Sequence, residues 1–267
     1  FNLTHSLTWP RIIHRTSQES MSPKPSVSVI IPTFNRRDLL PRALDSLRSQ
    51  TFSDFEALIV DDGSTDGTAE WLASETDPRI RCIRLGRNQG QSAARNAGVR
   101  QAQGGLLAFL DSDDEWVPDK LARQVEVLDR QPELAMVYGD LLRIPRRGPS
   151  RVLTAPDLVQ GRIMDGRASG YASYGLGIQT CIIRADAMRD LGGFNEQLLC
   201  FEDLEFFLRL NLRHTAFRMP GPWARYHETD GVSRHAQREY AARAYLLRAY
   251  GWFILRQRPS WLWKERA

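Results

Sequence analysis

The first strong apolar run of the chain is Val27-Ser28-Val29-Ile30-Ile31, β-branched and ended by Pro32, the pattern of a buried parallel strand feeding a loop. Residues 38–50 follow with Leu39, Leu40, Ala43, Leu44 and Leu47 at helical spacing, which predicts an amphipathic helix. The alternation continues, with strands over 55–60, 80–85 and 106–110 and a strand-like stretch at 135–138. Helices are predicted over 68–74, 92–101 and 120–130. Strands alternating with helices at this spacing predict an α/β fold with a mostly parallel central sheet flanked by helices. Ligands of such sheets sit beyond the carboxyl ends of the strands. Three of these ends carry polar clusters: Thr33-Phe34-Asn35, Asp61-Asp62 and Asp111-Ser112-Asp113-Asp114. They are expected to converge on one crevice.

After Arg143 the pattern weakens. Residues 145–149 and 161–177 are rich in Pro, Gly, Ser and Arg and read as long loops. Order returns at 180–183, 187–191, the Gly192-Gly193-Phe194 turn and 202–212. Residues 1–25 have no periodicity and read as an N-terminal arm. Met21, just before Ser-Pro-Lys-Pro, is expected to be a natural start, with the first twenty residues dispensable to the fold.

Of 267 residues, 42% are apolar and 25% charged, which excludes collagen-like, low-complexity and wholly disordered chains. The net charge of +4 is too small to point to a nucleic-acid partner. It is also uneven. Residues 234–267 hold eight basic side chains against two acids, a surplus of six that leaves residues 1–233 at −2. Cys82, Cys181 and Cys200 are far apart and form no CxxC pair, so neither a zinc site nor a disulfide framework is indicated. No apolar run approaches the roughly 20 residues of a membrane span, and no signal-peptide h-region stands at the start. A cytoplasmic protein is expected.

Two carboxylates at the tip of one strand, Asp111 and Asp113, repel unless a cation lies between them. Alternation along an extended backbone sends both to one side and Ser112 to the other. Hard oxygens with open positions suit Mg²⁺ or Mn²⁺, completed by substrate phosphates. The competing reading is a solvated acidic turn with Asp114 capping the next helix. At Asp61-Asp62-Gly63-Ser64 a plain turn competes with a nucleoside contact, in which Asp62 accepts a base N–H. Asn88, Arg95 and Asn96 lie on the next loop and helix, and Arg95 could pair with a phosphate or an aspartate. No GxGxxG follows a strand, and GxxxxGK[ST], HExxH and GxSxG are all absent.

Val27 to Asn35 (VSVIIPTFN), Gln50 to Phe55 (QTFSDF), Val60 to Asp66 (VDDGSTD), Asn88 to Gly98 (NQGQSAARNAG) and Phe109 to Lys120 (FLDSDDEWVPDK) occur in that order. Jointly they resemble the nucleotide-sugar domain of family 2 glycosyltransferases, which have the GT-A fold. Leu191 to Glu196 (LGGFNE) and Phe201 to Leu210 (FEDLEFFLRL) resemble that family's acceptor half. The resemblance divides the chain into the arm (1–25), a nucleotide-sugar-binding half (26–142), an acceptor half of the same domain (143–233) and a basic, aromatic helical tail (234–267).

The resemblance implies an inverting, metal-dependent transferase of glycan biosynthesis. Its donor would be a nucleoside-diphosphate sugar, most often UDP-linked, and its acceptor a glycan or lipid-linked glycan. Pro32, Thr33, Phe34 and Asn35 would lie along the nucleoside and Asp62 would read the base, with Asn88, Arg95, Asp111 and Ser112 completing the donor site. Asp111 and Asp113 would be the DxD element holding Mn²⁺ or Mg²⁺, with Asp113 the direct ligand and Asp111 nearer ribose or metal. Glu202-Asp203 would be the ED pair, with Asp203 the general base; a bare acidic helix start is the competing reading. His227 falls where relatives often place a His near the metal. Two other classes compete with this one: a non-catalytic nucleotide-sugar-binding scaffold, which would be expected to lose the DxD or ED carboxylates, and a nucleotidyltransferase, whose glycine-rich basic loop is missing.

Residues 240–254 place Ala244, Leu247, Tyr250 or Gly251 and Ile254 on one helical face. Trp252, Trp261 and Trp263 sit among Arg256, Arg258, Lys264 and Arg266. One reading is an interfacial segment docking on anionic lipid at the inner face of a membrane. The other is a helix that closes the catalytic domain and ends in a solvated basic stretch. Trp116 and Trp223 could stack on sugar faces, against the default of core packing.

Overall fold

The computed structural model describes residues 24–159, 162–163, 176–229 and 236–256. The arm with Met21, most of the 161–177 loop, Arg234 and the 257–267 stretch with Trp261 and Trp263 lie outside the described residues.

Strand β1 (Val27–Thr33) is buried along its whole length and pairs in parallel with β2 (Phe55–Asp61) on one side and β4 (Leu106–Phe109) on the other. β3 (Ile80–Arg84) extends the sheet beyond β2, again in parallel. Helix α1 (Leu40–Arg48), the short α2 (Thr68–Leu72) and α3 (Gln91–Gln101) connect these strands. Beyond β4 the sheet is mixed rather than mostly parallel. β10 (Ile182–Arg184) runs antiparallel between β4 and β6 (Leu134–Ile144), and β11 (Thr215–His227) runs parallel to β6. The two-residue β5 (Glu115–Trp116) closes that edge against β11, β7 (Arg151–Leu153) folds back on β6, and β8 (Leu158–Val159) pairs with β9 (Arg162–Ile163) as a separate ribbon.

Strand alternation sorts the core onto two faces. Val27, Val29 and Ile31 pack with Leu40, Leu44 and Leu47 of α1 and with Leu121, Val125 and Leu128 of α4 (Lys120–Arg130). Ile30 faces the other way, into a cluster with Ala94 and Ala97 of α3, Met188 and Leu191 of α5 (Ala185–Leu191), and Phe206 and Leu210 of α6 (Glu202–Arg213). A Cβ on Gly98 would lie 2.6 Å from Ile30 Cγ2, so a glycine is what lets α3 lie this close to the sheet. Phe194 bridges the halves, its ring 5.3 Å from Phe109 and 4.9 Å from Phe206. Helix α7 (Ala236–Arg256) packs on α6 through Leu246 against Leu208.

The sequence pattern assigns no element to the stretch that forms β11, which carries Pro220 and Pro222. In the structure the ladder with β6 shifts register between Met219 and Pro222 and again before Ala224, so the prolines sit at bulges where their missing N–H breaks no bond.

Candidate active site

The tips of β1 and β2 are tied by polar side chains. Asp62 N–H donates to the Thr33 carbonyl at 2.8 Å. Asn35, left-handed at φ +53°, donates its N–H to Ser64 Oγ at 2.9 Å, and its Oδ1 accepts Thr65 N–H at 2.8 Å. Asp61 Oδ1 accepts Ser64 N–H. Pro32 and Thr33 are buried, the Thr33 hydroxyl without a hydrogen-bond partner among the described residues, and Phe34 is 37% exposed. Asp62 is not poised free in the crevice. Its two oxygens accept Gln89 and Gly90 N–H at 2.8 Å each, clamping the loop that carries the exposed Asn88. Burial raises the Asp62 carboxyl above its ordinary value, with those two bonds pulling the other way. Gly63, at φ +79°, allows this clamp, since a Cβ there would lie 2.8 Å from the Arg87 carbonyl carbon.

β4 ends at Phe109, and Asp114 N–H closes a turn on the Asp111 carbonyl. Turn geometry, not strand alternation, therefore orients these carboxylates. Asp114 is neither solvated nor a helix cap: it is fully buried and accepts Gln179 Nε2 at 3.0 Å and His227 N–H at 3.1 Å. Burial, then the charges of Asp111 and Asp113, hold its carboxyl well above the usual range. Asp113 accepts Thr229 Oγ1 at 2.7 Å and lies 3.8 Å from Arg36 Nε, while Arg42 donates to its carbonyl. Ser112 is buried. His227 directs Nε2 to Glu115 Oε1 at 2.7 Å, which commits that nitrogen to a carboxylate outside the Asp111–Asp113 pair.

No group of three His, Cys, Asp or Glu able to hold a metal occurs among the described residues. Asp111 gives one oxygen to Arg95 and Asp113 one to Thr229, and among the described residues the other oxygen of each accepts no protein hydrogen bond. Two hard-oxygen donors beside a third crowded carboxylate fit a divalent cation whose remaining positions come from phosphate.

Arg95 joins this cluster to the second half of the chain. The guanidinium is 2% exposed and forks, one nitrogen to Asp111 Oδ1 and the other to Glu202 Oε1, each at 2.7 Å. Burial opposes its charge, but the two carboxylates prevail and hold its pKa above the ordinary arginine value. Gln91 Nε2 adds a 2.5 Å bond to the same Glu202 oxygen. Asp203 is half-buried at the start of α6, and its carboxyl is pushed up to about 7, by burial first and then by Glu202. Arg95 and the Leu204 N–H hold it back.

Arg95, Asp111, Glu202 and Asp203 thus gather at one place, with Asp113 in the adjoining turn. Asn35 and Asp62 form a separate hydrogen-bonded group at the β1 and β2 tips. Trp116 is core: its Nε1 donates to the Gln179 carbonyl at 2.8 Å, and Trp223 Nε1 donates to the Met219 carbonyl. Sequence reasoning missed Arg36, Gln91, Gln179 and Thr229. Arg36 and Gln91 stand inside or beside recognised motifs and were findable; Gln179, from the 3-10 turn Ile178–Thr180, and Thr229, just past β11, carry no local signal.

The model of glycosyl transferase family 2 matches residues 28–160, which carry all three strand tips. The chain belongs to glycosyl transferase family 2. Proteins similar to it include the UDP-Glc:alpha-D-GlcNAc-diphosphoundecaprenol beta-1,3-glucosyltransferase WfaP of Escherichia coli, 38% identical over 105 residues, 39% of this chain and 42% of WfaP. The chain spans less than half the length of most curated relatives it matches. Among solved structures, S. aureus TarS 1–349 in complex with UDP-GlcNAc matches at TM-score 0.64 and 23% identity, covering 83% of this chain and 66% of that one. The mannosyltransferase PcManGT of Pyrobaculum calidifontis, in complex with GDP-Man and Mn²⁺, matches at TM-score 0.61 and 21% identity, covering 86% and 64%. These likenesses establish the GT-A fold for the family 2 chain.

Proposed function

We propose that the chain is an inverting glycosyltransferase of polysaccharide biosynthesis, moving a sugar from a UDP-linked donor to a hydroxyl of a glycan or lipid-linked glycan. The observation that carries this reading is the Arg95 fork, which joins the strand-tip carboxylate Asp111 to Glu202 beside Asp203. Donor chemistry and acceptor chemistry need that proximity. Pro32, Thr33, Phe34, Asn35 and Asn88 line the nucleoside, and Asp62 accepts the base N–H with a lone pair its loop contacts leave over. Asp111 and Asp113 hold Mn²⁺ or Mg²⁺. Such an ion, when bound, neutralises the charge that develops on the departing diphosphate.

Asp203 takes the proton of the attacking hydroxyl. A carboxyl raised to about 7 suits a base at neutral pH. Glu202 is committed as acceptor to Arg95 and Gln91 and orients the pair rather than exchanging protons. A single displacement from the face opposite the diphosphate inverts the anomeric centre. Calorimetry with Mn²⁺ and UDP-, GDP- and dTDP-sugars tests the donor side: heat is expected for a UDP-sugar and none for Asp113→Ala. Binding that persists in Asp113→Ala without dependence on the cation removes Asp113 as its ligand.

Location at the cytoplasmic face of a membrane is the second part of the reading, favoured by α7. Its inner side carries Ala242, Leu246 and Tyr250, so Tyr250 belongs to the closing contact and not to an interfacial face. Its outer side exposes Tyr240 (78%), Leu247 (40%) and Trp252 (58%) alongside Arg248. Aromatic and aliphatic side chains beside arginine fit an anionic lipid surface. No helix among the described residues is long and apolar enough to cross a membrane. Flotation with vesicles of phosphatidylcholine containing phosphatidylglycerol should recover the protein at low salt. The Leu247→Ser/Trp252→Ser double variant should stay at the bottom, and equal flotation of both proteins ends the proposal.

A further inference from the structure

Phe201 immediately precedes Glu202 and Asp203, and its backbone is left-handed, φ +59° and ψ +21°. Among the described residues only Asn35 shares a positive φ without being glycine. For a bulky side chain this conformation is strained and persists only where the surroundings over-determine it. Here they do. The Phe201 ring packs against two buried clusters, one of Leu208 and Leu246 and one of Leu198, Cys200 and Ala242. The Arg243 guanidinium lies 5.9 Å from the ring centroid. One turn on, the Glu205 N–H closes the first helical bond on the Phe201 carbonyl at 3.0 Å, and Glu205 Oε1 accepts Tyr250 Oη at 2.6 Å. Helix α7 therefore grips the residue before the acidic pair and the turn after it.

We propose that Phe201 is a positioning residue for the transfer step: α7 fixes its ring, the ring fixes its left-handed backbone, and that backbone sets the direction in which Glu202 and Asp203 leave the start of α6. The proposal rests on the reading of Asp203 as base. An ordinary extended entry into α6 would swing the first helical side chains about the axis and break the 2.7 Å contact of Glu202 with Arg95. Helix α7 then belongs to the catalytic machinery and is more than a cover over α6.

Two substitutions in the full chain separate ring from backbone. Phe201→Ala removes the ring but keeps a Cβ that disfavours φ +59°. Phe201→Gly removes the ring and adopts that φ freely. With UDP-glucose and UDP-N-acetylglucosamine hydrolysis as the assay, Phe201→Ala should lower kcat about ten- to hundredfold, the scale of a small misplacement, with donor KM within about twofold. Phe201→Gly should regain most of the loss. A purely structural role predicts the opposite order, glycine worse than alanine, with kcat per folded molecule unchanged; that result overturns the proposal. The titration of the Asp203 carboxyl carbon in ¹³C-labelled, donor-free protein reads position without reference to turnover. It faces Glu202, Arg95 and Asp111, and its midpoint should fall in Phe201→Ala and return in Phe201→Gly. Full turnover in Asp203→Asn would sink the base assignment alone, whereas an unmoved midpoint in Phe201→Ala sinks the positioning role alone.

Discussion

Asp203→Asn is expected to bind the donor as tightly as the parent, within about twofold, and to lose about 10²–10⁴ in kcat, the range of a positioned general base. An amide of the same shape leaves the packing at the start of α6 intact but cannot take a proton. The pH profile supplies the sign. Only ionised Asp203 accepts the hydroxyl proton, and its carboxyl sits at about 7. kcat/KM should therefore climb about tenfold per pH unit below 7 and level off above it. Glu202→Gln removes the neighbouring charge that helps raise that carboxyl, so the rising limb should move to lower pH. Stability runs the other way: the native state holds a proton that the unfolded chain releases near pH 4, so this group's contribution is complete below that and fades as pH rises through about 7. A flat profile between pH 5 and 8, or parent kcat in Asp203→Asn, would remove Asp203 from the mechanism.

How much of this could be read from the chain depends on how each element earns its burial. β1 is buried on both faces and so shows as an unbroken β-branched run, legible at once. α1 and α4 bury one stripe each, and their periodicity gives them away. β6 was visible only as 135–138, because its continuation carries Asp140 and Arg143. Asp140 is nonetheless buried, tied to the Ala155 N–H just after β7 and, on β11, to Arg218 at 2.7 Å and the Gly221 N–H, and the two β11 contacts form only when that strand arrives. Lys120 looked like an ordinary first residue of a helix. Its ammonium is fully buried, donates to Gln124 Oε1 at 2.9 Å and the Cys181 carbonyl at 3.2 Å, stands 4.3 Å over Trp116, and is pushed down to about 7 by burial. The carboxylate pairs of the site were legible as local motifs. Their partners were not: the bond from Arg95 to Glu202 spans 107 positions, and no local pattern encodes it.

That bond carries the largest expected effect on stability. Arg95→Met replaces a buried cation by an apolar side chain of similar length and strands Glu202 in the interior facing an uncharged neighbour. Breaking a buried pair from one side leaves an uncompensated charge, which typically destabilises by about 3–5 kcal/mol, read here as a lower urea midpoint. Asp111, at the more open end of the fork, should regain water and suffer less, since its side chain is 28% exposed against 5% for Glu202. Adding Glu202→Gln to Arg95→Met should therefore restore more stability than adding Asp111→Asn. Arg95→Lys keeps the charge but offers a point donor in place of a planar fork, so it can satisfy one carboxylate and not both. It should retain most of the stability and still lose transfer, because Asp111 and Glu202 would no longer be held at a fixed separation. If Arg95→Met unfolds within 1 kcal/mol of the parent and keeps parental turnover, the fork is incidental and the two halves of the site are held together by the sheet alone.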